Sequence, residues 1–482
     1  MRSAARAVKR LSILCIALSL LVPMIAGCGR APMSERVTRE GIPEGDWLAL
    51  SDFIKAASDT EAERGPSQAN TLPGEPVQPR ETRPNPSDQS PVIPLPDPQE
   101  QPSDIPVMEI SSASRDFDFN LLKQAVTESS SSNVVLSPFS VRMALAMAYN
   151  GAGGPAEEAM AEVLDFEGSS LEEVNVMMHD LLLSLRQQEE ELQLEIANSF
   201  WGQKEETFFD DLIQACRDHY GAELQRVDFK DPEIVQVIND WAKDNTHGRI
   251  PQIVSDHKLI EDNLAAWMNA VYFKAKWTLQ FDEDSTRDDD FILADGRRIK
   301  VPLMRKSAEL EYLENEDFQA VCLPYGDRRM GMYVFLPREG KDLNGLYASL
   351  NRDNWERWIQ AFDKREGTIY LPRFNVGYEI DLTDILKAMG MAPAFEDDYA
   401  LPKVIESKPW MAIKLVLHKT VIEVNEAGTE GAAVTYVGMV PTCAPPQPSE
   451  PFTMKVDRPF FFAIRDNQTG ALLFMGSIVD PS

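Results

Sequence analysis

Residues 426–435, EAGTEGAAVT, limit the possible folds of this chain more than any other stretch of its sequence. They follow a strand pattern over residues 412–425, and nearly all of their side chains are small, which a permanent loop does not require. Because side chains alternate along a strand, an extended conformation would give one small and mostly apolar face. That face would carry Thr429, Gly431, Ala433, Thr435 and Val437. Glu430 would point the other way, toward solvent. The pattern therefore predicts a mobile, exposed loop that can become a buried strand.

The N-terminus has the layout of a secretory signal, because basic residues within the first ten positions precede an apolar run over residues 11–26. The run ends in Ile25-Ala26-Gly27-Cys28, which resembles the lipobox of bacterial lipoproteins. We therefore expect residues 1–27 to be a lipoprotein signal peptide. Cys28 would then carry the lipid that anchors a secreted, outward-facing protein to the membrane. An ordinary signal peptide or an uncleaved membrane anchor is the alternative.

Residues 28–114 have too few apolar side chains between their many prolines to build a core. Proline removes backbone donors and favours extended conformations, so this segment is predicted to be a disordered, semi-rigid tether. Residues 115–482 are long enough for one large folded domain. We expect the tether to hold this domain away from the cell surface.

The domain is predicted to be α+β, because helical patterns dominate its first part and strand patterns its second part. Ser137 is suited to cap a buried helix that begins at Pro138. Further on, the patterns predict one helix over residues 344–361 and long strands over residues 412–425 and 452–464.

The net charge of the chain excludes one class of partner. It is −30 at pH 7, so the surface repels phosphate backbones and sulfated polysaccharides. We expect no nucleic-acid partner and no polyanion cofactor. The acidity is instead typical of a soluble extracellular protein.

The sequence contains no motif that points specifically to catalysis or to metal binding. The five histidines lack the spacing of a zinc site, and we predict no catalytic residues, no metal and no cofactor. Ser255 and Lys258 have the Ser-x-x-Lys spacing of some acyl-transfer enzymes, so a serine hydrolase is a further alternative. Cys216 and Cys322 fall in a helical and a strand pattern, which predicts two buried thiols. Cys443 falls in the predicted exposed loop.

Further motifs, in a fixed order, resemble the serpins, a family of protease inhibitors that insert a cleaved loop into their main sheet. They are NVVLSPFS at 133–140, ALA at 144–146, GAGG at 151–154, NSFW at 198–201, NAVYFK at 269–274 with Trp277 and Phe281, DRPFFF at 457–462 and LFMGS at 473–477. Together with residues 426–435, the resemblance covers roughly residues 117–481.

The resemblance implies a fold of helices packed on three mostly antiparallel sheets, with an exposed reactive loop. It implies a loop hinge made of Glu426, Gly428, Thr429, Glu430, Gly431, Ala432, Ala433, Val434 and Thr435. The family's usual spacing places the cleaved bond between Thr442 and Cys443. If the loop's register differs by a few residues from the family's spacing, the cleaved bond would instead follow Met439 or Val440. Thr442 favours a serine protease with a small primary pocket, of the elastase or subtilisin kind.

The family mechanism implies that the protease stays linked as an acyl-enzyme and is dragged and distorted as the hinge inserts. The chain would then be a monomeric, irreversible inhibitor and not an enzyme. No bulky, charged or proline residue lies on the inserting face between Thr429 and Val437, which favours this interpretation. Gly431 departs from the family's usual alanine, and glycine costs roughly 0.5–1 kcal/mol inside a strand. A non-inhibitory serpin, cleaved as a substrate or serving as a surface binding protein, is the alternative.

Overall fold

The computed structural model of the chain describes residues 115–129, 132–186, 192–429 and 450–482. The helices are α1 (Arg115–Glu128), α2 (Pro138–Tyr149), α3 (Gly154–Val163), α4 (Leu171–Leu185), α5 (Asp210–Asp218), α6 (Ile234–Asp244), α7 (Leu343–Ser349), α8 (Arg352–Gln360), α9 (Thr383–Leu386) and α10 (Ala392–Glu396). The strands are β1 (Val134–Leu136), β2 (Leu192–Gln203), β3 (Ala222–Val227), β4 (Ala265–Lys276), β5 (Arg287–Ile292), β6 (Arg298–Glu314), β7 (Phe318–Pro324), β8 (Met330–Pro337), β9 (Asp363–Pro372), β10 (Phe374–Asp381), β11 (Leu417–Val424), β12 (Gly428–Thr429), β13 (Phe452–Lys455), β14 (Phe460–Asp466) and β15 (Leu472–Ile478).

The strands form two hydrogen-bonded sheets. One has six strands in the order β10-β11-β12-β4-β2-β3, and the other has nine, in the order β1-β15-β14-β8-β7-β6-β9-β13, with β5 also paired to β6. The predicted α+β class is therefore confirmed. The family resemblance implied three sheets, and the strands that the structure describes form two. The long strand β6 pairs with β5 at its start, β9 along its middle and β7 at its end, and so joins strands that could otherwise form separate sheets.

Helix α2 packs between the two sheets. Its N-terminus confirms the cap predicted at Ser137. The Ser137 side chain accepts a hydrogen bond from the Ser140 N–H, and Pro138 occupies the first turn. Nearly every residue of α2 is buried, because the helix packs against both β4 and β15. On the neighbouring surface, the Phe273 ring of β4 contacts the rings of Tyr325 and Phe474. The main core therefore lies between the sheets.

Three predicted elements differ from the structure. The helix predicted over residues 344–361 is two helices, because Asn351 caps α8 by accepting a hydrogen bond from the Asn354 N–H. The strand predicted over 452–464 is β13 and β14, separated by a segment that ends at Pro459, which has no N–H for a ladder. The strand predicted over 412–425 begins only at Leu417.

The two described cysteines are buried, as predicted. Cys216 lies on α5 and Cys322 on β7, and each is 2% exposed or less. Burial raises the pKa of both thiols to about 12. No helix among the described residues is long and apolar enough to cross a membrane.

Candidate functional site

The hinge begins with a carboxylate held inside the protein. Glu426 follows β11, and its side chain is only 5% exposed. Its Oε1 accepts hydrogen bonds from the Thr286 hydroxyl and from Nη2 of Arg373, both at 2.6 Å. Burial alone would raise the pKa of Glu426, but the bonds from Arg373 and Thr286 outweigh it and hold that pKa below its usual range. The start of the hinge is therefore fixed by an ion pair.

The side chain of Asn425 stabilises a tight turn over residues 425–428. Its Oδ1 accepts hydrogen bonds from the N–H groups of Ala427 and Gly428, at 3.1 and 3.3 Å. The indole Nε1 of Trp277 donates to the Asn425 carbonyl at 2.9 Å, and the Trp277 N–H donates to the Ala427 carbonyl at 3.0 Å. The Phe281 N–H donates to the Glu426 carbonyl at 2.9 Å. These bonds satisfy backbone groups of a turn that would otherwise be left unpaired in a buried place.

After this turn, Gly428 and Thr429 lie in the six-stranded sheet, where they form β12 between β4 and β11. Thr429 pairs with Ala275 on one side and Val424 on the other. Gly428 has a φ of +153°, and a Cβ there would lie 2.1 Å from the Ala275 carbonyl oxygen. Glycine is required at this position because both the backbone angle and the space exclude a side chain.

Thr429 points into the core between the sheets. It is 3% exposed, and its hydroxyl lies 2.8 Å from the Tyr325 hydroxyl. The Tyr325 ring stacks on Trp277, with centroids 4.4 Å apart. Burial raises the pKa of Tyr325, so this phenol stays protonated and can hydrogen-bond to Thr429. A charged or bulky side chain at position 429 would have to displace this cluster.

Among the described residues, the six-stranded sheet has a gap beyond Thr429. We call it the central cleft: the space between β4 and β11, extended along residues 411–416. In the described part of the chain, the cleft-facing edge of β4 pairs with Gly428 and Thr429 alone. Two cavities of about 370 and 30 Å³ lie in the cleft. Thr246, Ile250 and Val271 line both, so the cavities adjoin. As far as the structure describes the chain, no strand therefore fills the line on which β12 would continue.

Buried polar groups line the cleft. The His418 Nε2 accepts a hydrogen bond from the Ser137 N–H at 3.0 Å. Burial lowers the pKa of His418 to about 4, so its imidazole is neutral at pH 7. The Asn269 amide donates to Asn198, while its Oδ1 is buried and has no hydrogen-bond partner among the described residues. An acceptor is thus available in the wall of the cavity of about 370 Å³.

The structure describes three of the predicted hinge residues, Glu426, Gly428 and Thr429, and brings them together at one end of the cleft. The expectation that they belong to an exposed loop is wrong: all three are buried, because the Asn425 turn and the Glu426 ion pair hold them in the sheet. Other predicted site residues lie outside the described residues. They are Cys28, Glu430, Gly431, Ala432, Ala433, Val434, Thr435, Met439, Val440, Thr442 and Cys443.

Several residues that build this site were not found from the sequence. Arg373 and Thr286 lie 53 and 140 positions from Glu426, and no pattern links them to it. Trp277 and Phe281 were found from the sequence only as part of a family motif. In the structure both are buried, with their ring centroids 6.1 Å apart.

Other candidate chemistry gains no support. Ser255 and Lys258 are both exposed at a one-turn helix, residues 257–259, and no hydrogen bond between them is found. A lysine that activates a serine needs burial to lower its pKa. Among the residues that the structure describes, no three His, Cys, Asp or Glu side chains lie close enough together to hold a metal ion.

Comparisons with known proteins agree with this architecture. A family model described as Serpin (serine protease inhibitor) matches residues 112–481. An uncharacterised serpin-like protein of Thermococcus kodakarensis is 36% identical over 376 residues, which cover 77% of this chain and 86% of the relative. Alpha-1-antiproteinase of Rattus norvegicus is 30% identical over 379 residues, covering 78% of this chain and 90% of that protein. The crystal structure of the thermophilic serpin tengpin in its native state has a TM-score of 0.68 and 31% identity, covering 77% of this chain and 94% of tengpin.

The two sheets, with a hinge paired at one end of an open central cleft, define the serpin fold. The chain belongs to the serpin family. Members of this family are generally protease inhibitors, and the named relatives include alpha-1-antiproteinase and neuroserpin.

Proposed function

We propose that this chain inhibits serine endopeptidases irreversibly, by inserting its cleaved reactive loop into the central cleft. The observation that carries the proposal is the paired hinge: Gly428 and Thr429 already occupy the position of the first residues of a new strand, at one end of an open gap. A loop whose start is paired in this way would continue along the same register.

That register can be extended residue by residue. Thr429 lies opposite Ala275 of β4, in antiparallel pairing. Continuing the same pairing would place Gly431 opposite Phe273 and Met439 opposite Ala265, the first residue of β4. The new strand would therefore fill the cleft along the whole length of β4. The bond between Thr442 and Cys443 lies just beyond that length, so cleavage there would free all the residues that the cleft can accept.

The side chains of the proposed inserted strand suit the two faces of the six-stranded sheet, one toward the core between the sheets and one toward α6. Ala275 and Phe273 belong to the core between the sheets, whereas Ala270 packs with α6 on the opposite face. Thr429 and every second residue after it would therefore face the core between the sheets. On the β4 side Thr435 would lie opposite Asn269, whose Oδ1 is buried and has no partner in the described structure. A threonine hydroxyl can donate to such an acceptor.

The chemistry follows from the competition between two steps. The protease serine attacks the Thr442 carbonyl, the Thr442–Cys443 bond breaks, and an ester joins Thr442 to the protease. Water can then hydrolyse the ester and release the protease with a Thr442 carboxylate on the cleaved chain. Insertion that is faster than hydrolysis would instead drag the ester-linked protease along the sheet and distort its active site. The uncleaved protein is then a kinetically trapped state.

A pair of variants tests the mechanism. Thr429→Arg would place a charge beside Tyr325 in the core between the sheets, whereas Glu430→Arg would place the same charge on the opposite face. Each full-length variant is mixed with a serine protease, and complexes that survive denaturation are measured on gels. We expect Glu430→Arg to form such complexes and Thr429→Arg to be cleaved without forming them. Equal complex formation by both variants would contradict insertion through this face. Cleavage of the wild-type chain by every protease tested, with no stable complex, would favour a substrate-like serpin.

We further propose that the target is an elastase-like or subtilisin-like enzyme, because Thr442 would fit a small primary pocket. Mass spectrometry of the C-terminal fragment tests the bond: a fragment that begins at Cys443 is expected. A fragment beginning at Val440 or Pro441 would instead place the cleaved bond after Met439 or Val440, as in the slipped register, and would favour a larger pocket.

We also propose that residues 1–27 are removed and that a lipid on Cys28 anchors the protein, facing outward, through the tether of residues 28–114. The support is the charged and apolar layout of the N-terminus, ending in a lipobox-like motif. Replacing Cys28 by Ala should abolish incorporation of labelled palmitate and release the protein from the membrane fraction. Unchanged membrane association would favour an uncleaved anchor.

A further inference from the structure

An ion pair crosses the outer face of the central cleft. Nη1 of Arg249 donates to Oε2 of Glu423 at 3.1 Å, and the two side chains are 36% and 31% exposed. Arg249 lies in the segment between α6 and β4, and Glu423 lies on β11. Glu423 alternates with the buried residues Ile422 and Val424, so it is on the face of β11 opposite the core. The pair thus joins β11 to the segment that follows α6, over the outer face of the cleft.

The Arg249 side of this bridge is held by its own segment. The Arg249 N–H donates to the Thr246 carbonyl at 2.8 Å, and the Thr246 hydroxyl donates to the Ala242 carbonyl of α6 at 2.7 Å. The Ile250 N–H donates to the same hydroxyl at 2.9 Å. Arg249 is therefore presented from a segment fixed to the end of α6, and not from a free loop.

The Glu423 side of the bridge is connected to the hinge. Its second oxygen, Oε1, accepts a hydrogen bond from Nδ2 of Asn425 at 3.4 Å. Asn425 is the residue whose Oδ1 holds the hinge turn through Ala427 and Gly428. Opening the bridge would thus also free the Glu423 carboxylate that binds Asn425, at the point where β12 begins.

The space under the bridge is the next space that a growing strand needs. The cavity of about 30 Å³ is lined by Arg249, Glu423, Phe273 and Thr429 among others. In the extended register, Glu430 would lie next to Glu423 on β11, on the outer face. A second carboxylate arriving there would repel Glu423 and compete with it for Arg249. In the proposed mechanism, advance of the strand past Thr429 would therefore require the bridge to open or rearrange.

We propose that the Arg249–Glu423 pair is a latch across the central cleft, and that its opening sets the rate at which the cleaved loop inserts. This inference rests on the proposed insertion mechanism and adds two positioning residues to it. The latch does not touch the protease or the cleaved bond. It acts on the competition between insertion and hydrolysis of the ester, and so on the ratio of trapped protease to cleaved, released inhibitor.

The expected effect is moderate, because an ion pair with one third of each side chain exposed is partly screened. Loss of such a pair corresponds to about a two- to fivefold faster opening. We therefore expect Arg249→Gln and Glu423→Gln each to raise the ratio of trapped to released protease about two- to fivefold. The double variant should do less than the sum of the two single variants, because both remove the Arg249–Glu423 interaction. High salt should raise the ratio for the wild type and not for the variants.

A matched control lies on the same strand. Lys419 and Glu379 form an ion pair at 2.8 Å between β11 and β10, on the side of β11 away from the cleft. Glu379→Gln removes an exposed pair of the same kind from the same strand and should leave the ratio unchanged. If this control raises the ratio as much as Glu423→Gln does, general loosening of β11 is the cause and the latch is contradicted.

The experiment uses the full chain and has two measurements. The first is the ratio of denaturation-resistant complex to cleaved inhibitor with an elastase-like protease. The second is amide hydrogen exchange along β4 and β11 in the uncleaved protein, which does not depend on inhibition. Faster exchange at the cleft in both latch variants, together with the higher ratio, supports the latch. An unchanged ratio in variants that do form complexes overturns it, whatever the exchange shows.

Failure of the proposed function would look different. In that case neither the wild type nor any variant would give a complex. The loop is then nicked with a metalloprotease, which forms no acyl-enzyme, and the gain in thermal stability of the nicked chain is followed with time. A two- to fivefold faster gain in the latch variants would support the latch without inhibition, and equal rates would overturn it.

Discussion

His418 should make the stability of this domain fall in mild acid. Its pKa is about 4 in the folded protein, because its imidazole is buried in the wall of the central cleft and accepts a hydrogen bond from Ser137. In the unfolded chain a histidine has a pKa of about 6.5. Between these two values the unfolded state binds more protons, so the free energy of unfolding decreases as the pH falls from about 6.5 toward 4.

The magnitude follows from the separation of the two pKa values. One pKa unit corresponds to about 1.4 kcal/mol, so the full effect has an upper limit of about 3 kcal/mol, of which about 2 kcal/mol is lost by pH 5. Only 5% of the His418 residue is exposed, so solvent screens this effect little. A loss of this size is large for a domain whose net stability is about 5–15 kcal/mol.

The assay compares the wild type with His418→Gln, whose side-chain oxygen can still accept a hydrogen bond from the Ser137 N–H but does not titrate. Urea unfolding of both proteins is measured at pH 7.5 and pH 5.0. Carboxylates titrate in both proteins and cancel in the difference, so we expect the wild type to lose about 2 kcal/mol more than the variant. Parallel losses in the two proteins would refute the reasoning, because they would show that His418 is protonated in the fold as readily as in the unfolded chain.

Two further predictions concern Glu426 and Lys306, whose ammonium nitrogen lies 5.6 Å from the centre of the Phe281 ring. Glu426→Gln should lower the free energy of unfolding by about 1–3 kcal/mol, because two hydrogen bonds to a buried carboxylate are weakened, while Arg373 is 47% exposed and can be rehydrated. Urea unfolding of Glu426→Gln, Arg373→Gln and the double variant should give non-additive losses, and strict additivity would show that the two side chains do not act as a pair. Lys306 has a pKa lowered to about 8 by burial, so the unfolded chain binds more protons above pH 8 and stability should rise from pH 8 to pH 10. Lys306 is partly exposed, so we expect a contribution of only about 1 kcal/mol, absent in Lys306→Met; the same rise in that variant would assign it to other groups.

Much of the fold could be predicted from the sequence because local signals and global structure agree there. The Ser137 cap, the buried helix after Pro138 and the buried thiols of Cys216 and Cys322 were all confirmed. The small side chains of residues 426–435 also predicted a segment that can enter a sheet. In the structure, Gly428 and Thr429 of this segment pair within the six-stranded sheet.

The misses share a physical cause, which is interaction between residues far apart in sequence. Burial of Glu426 depends on Arg373 and Thr286, and no local pattern shows that an acidic residue will find such partners. In the same way, residues 412–416 have a strand-like composition, but within the described part of the chain no strand pairs with them. A strand pattern predicts the capacity to pair, and only the tertiary structure decides whether a partner is present.

The pairing of Gly428 and Thr429 would make the alignment of the inserted strand independent of the residues that select the protease. Without it, a substitution could change both properties together. In the proposed mechanism, the alignment of the incoming strand is decided at its first two residues, before any later residue reaches the sheet. Substitutions near Thr442 would then alter which protease is captured without shifting the strand relative to β4 and β11. A chain built in this way could be redirected to a new protease by changing the residues around the proposed cleaved bond, while the hinge is left as it is.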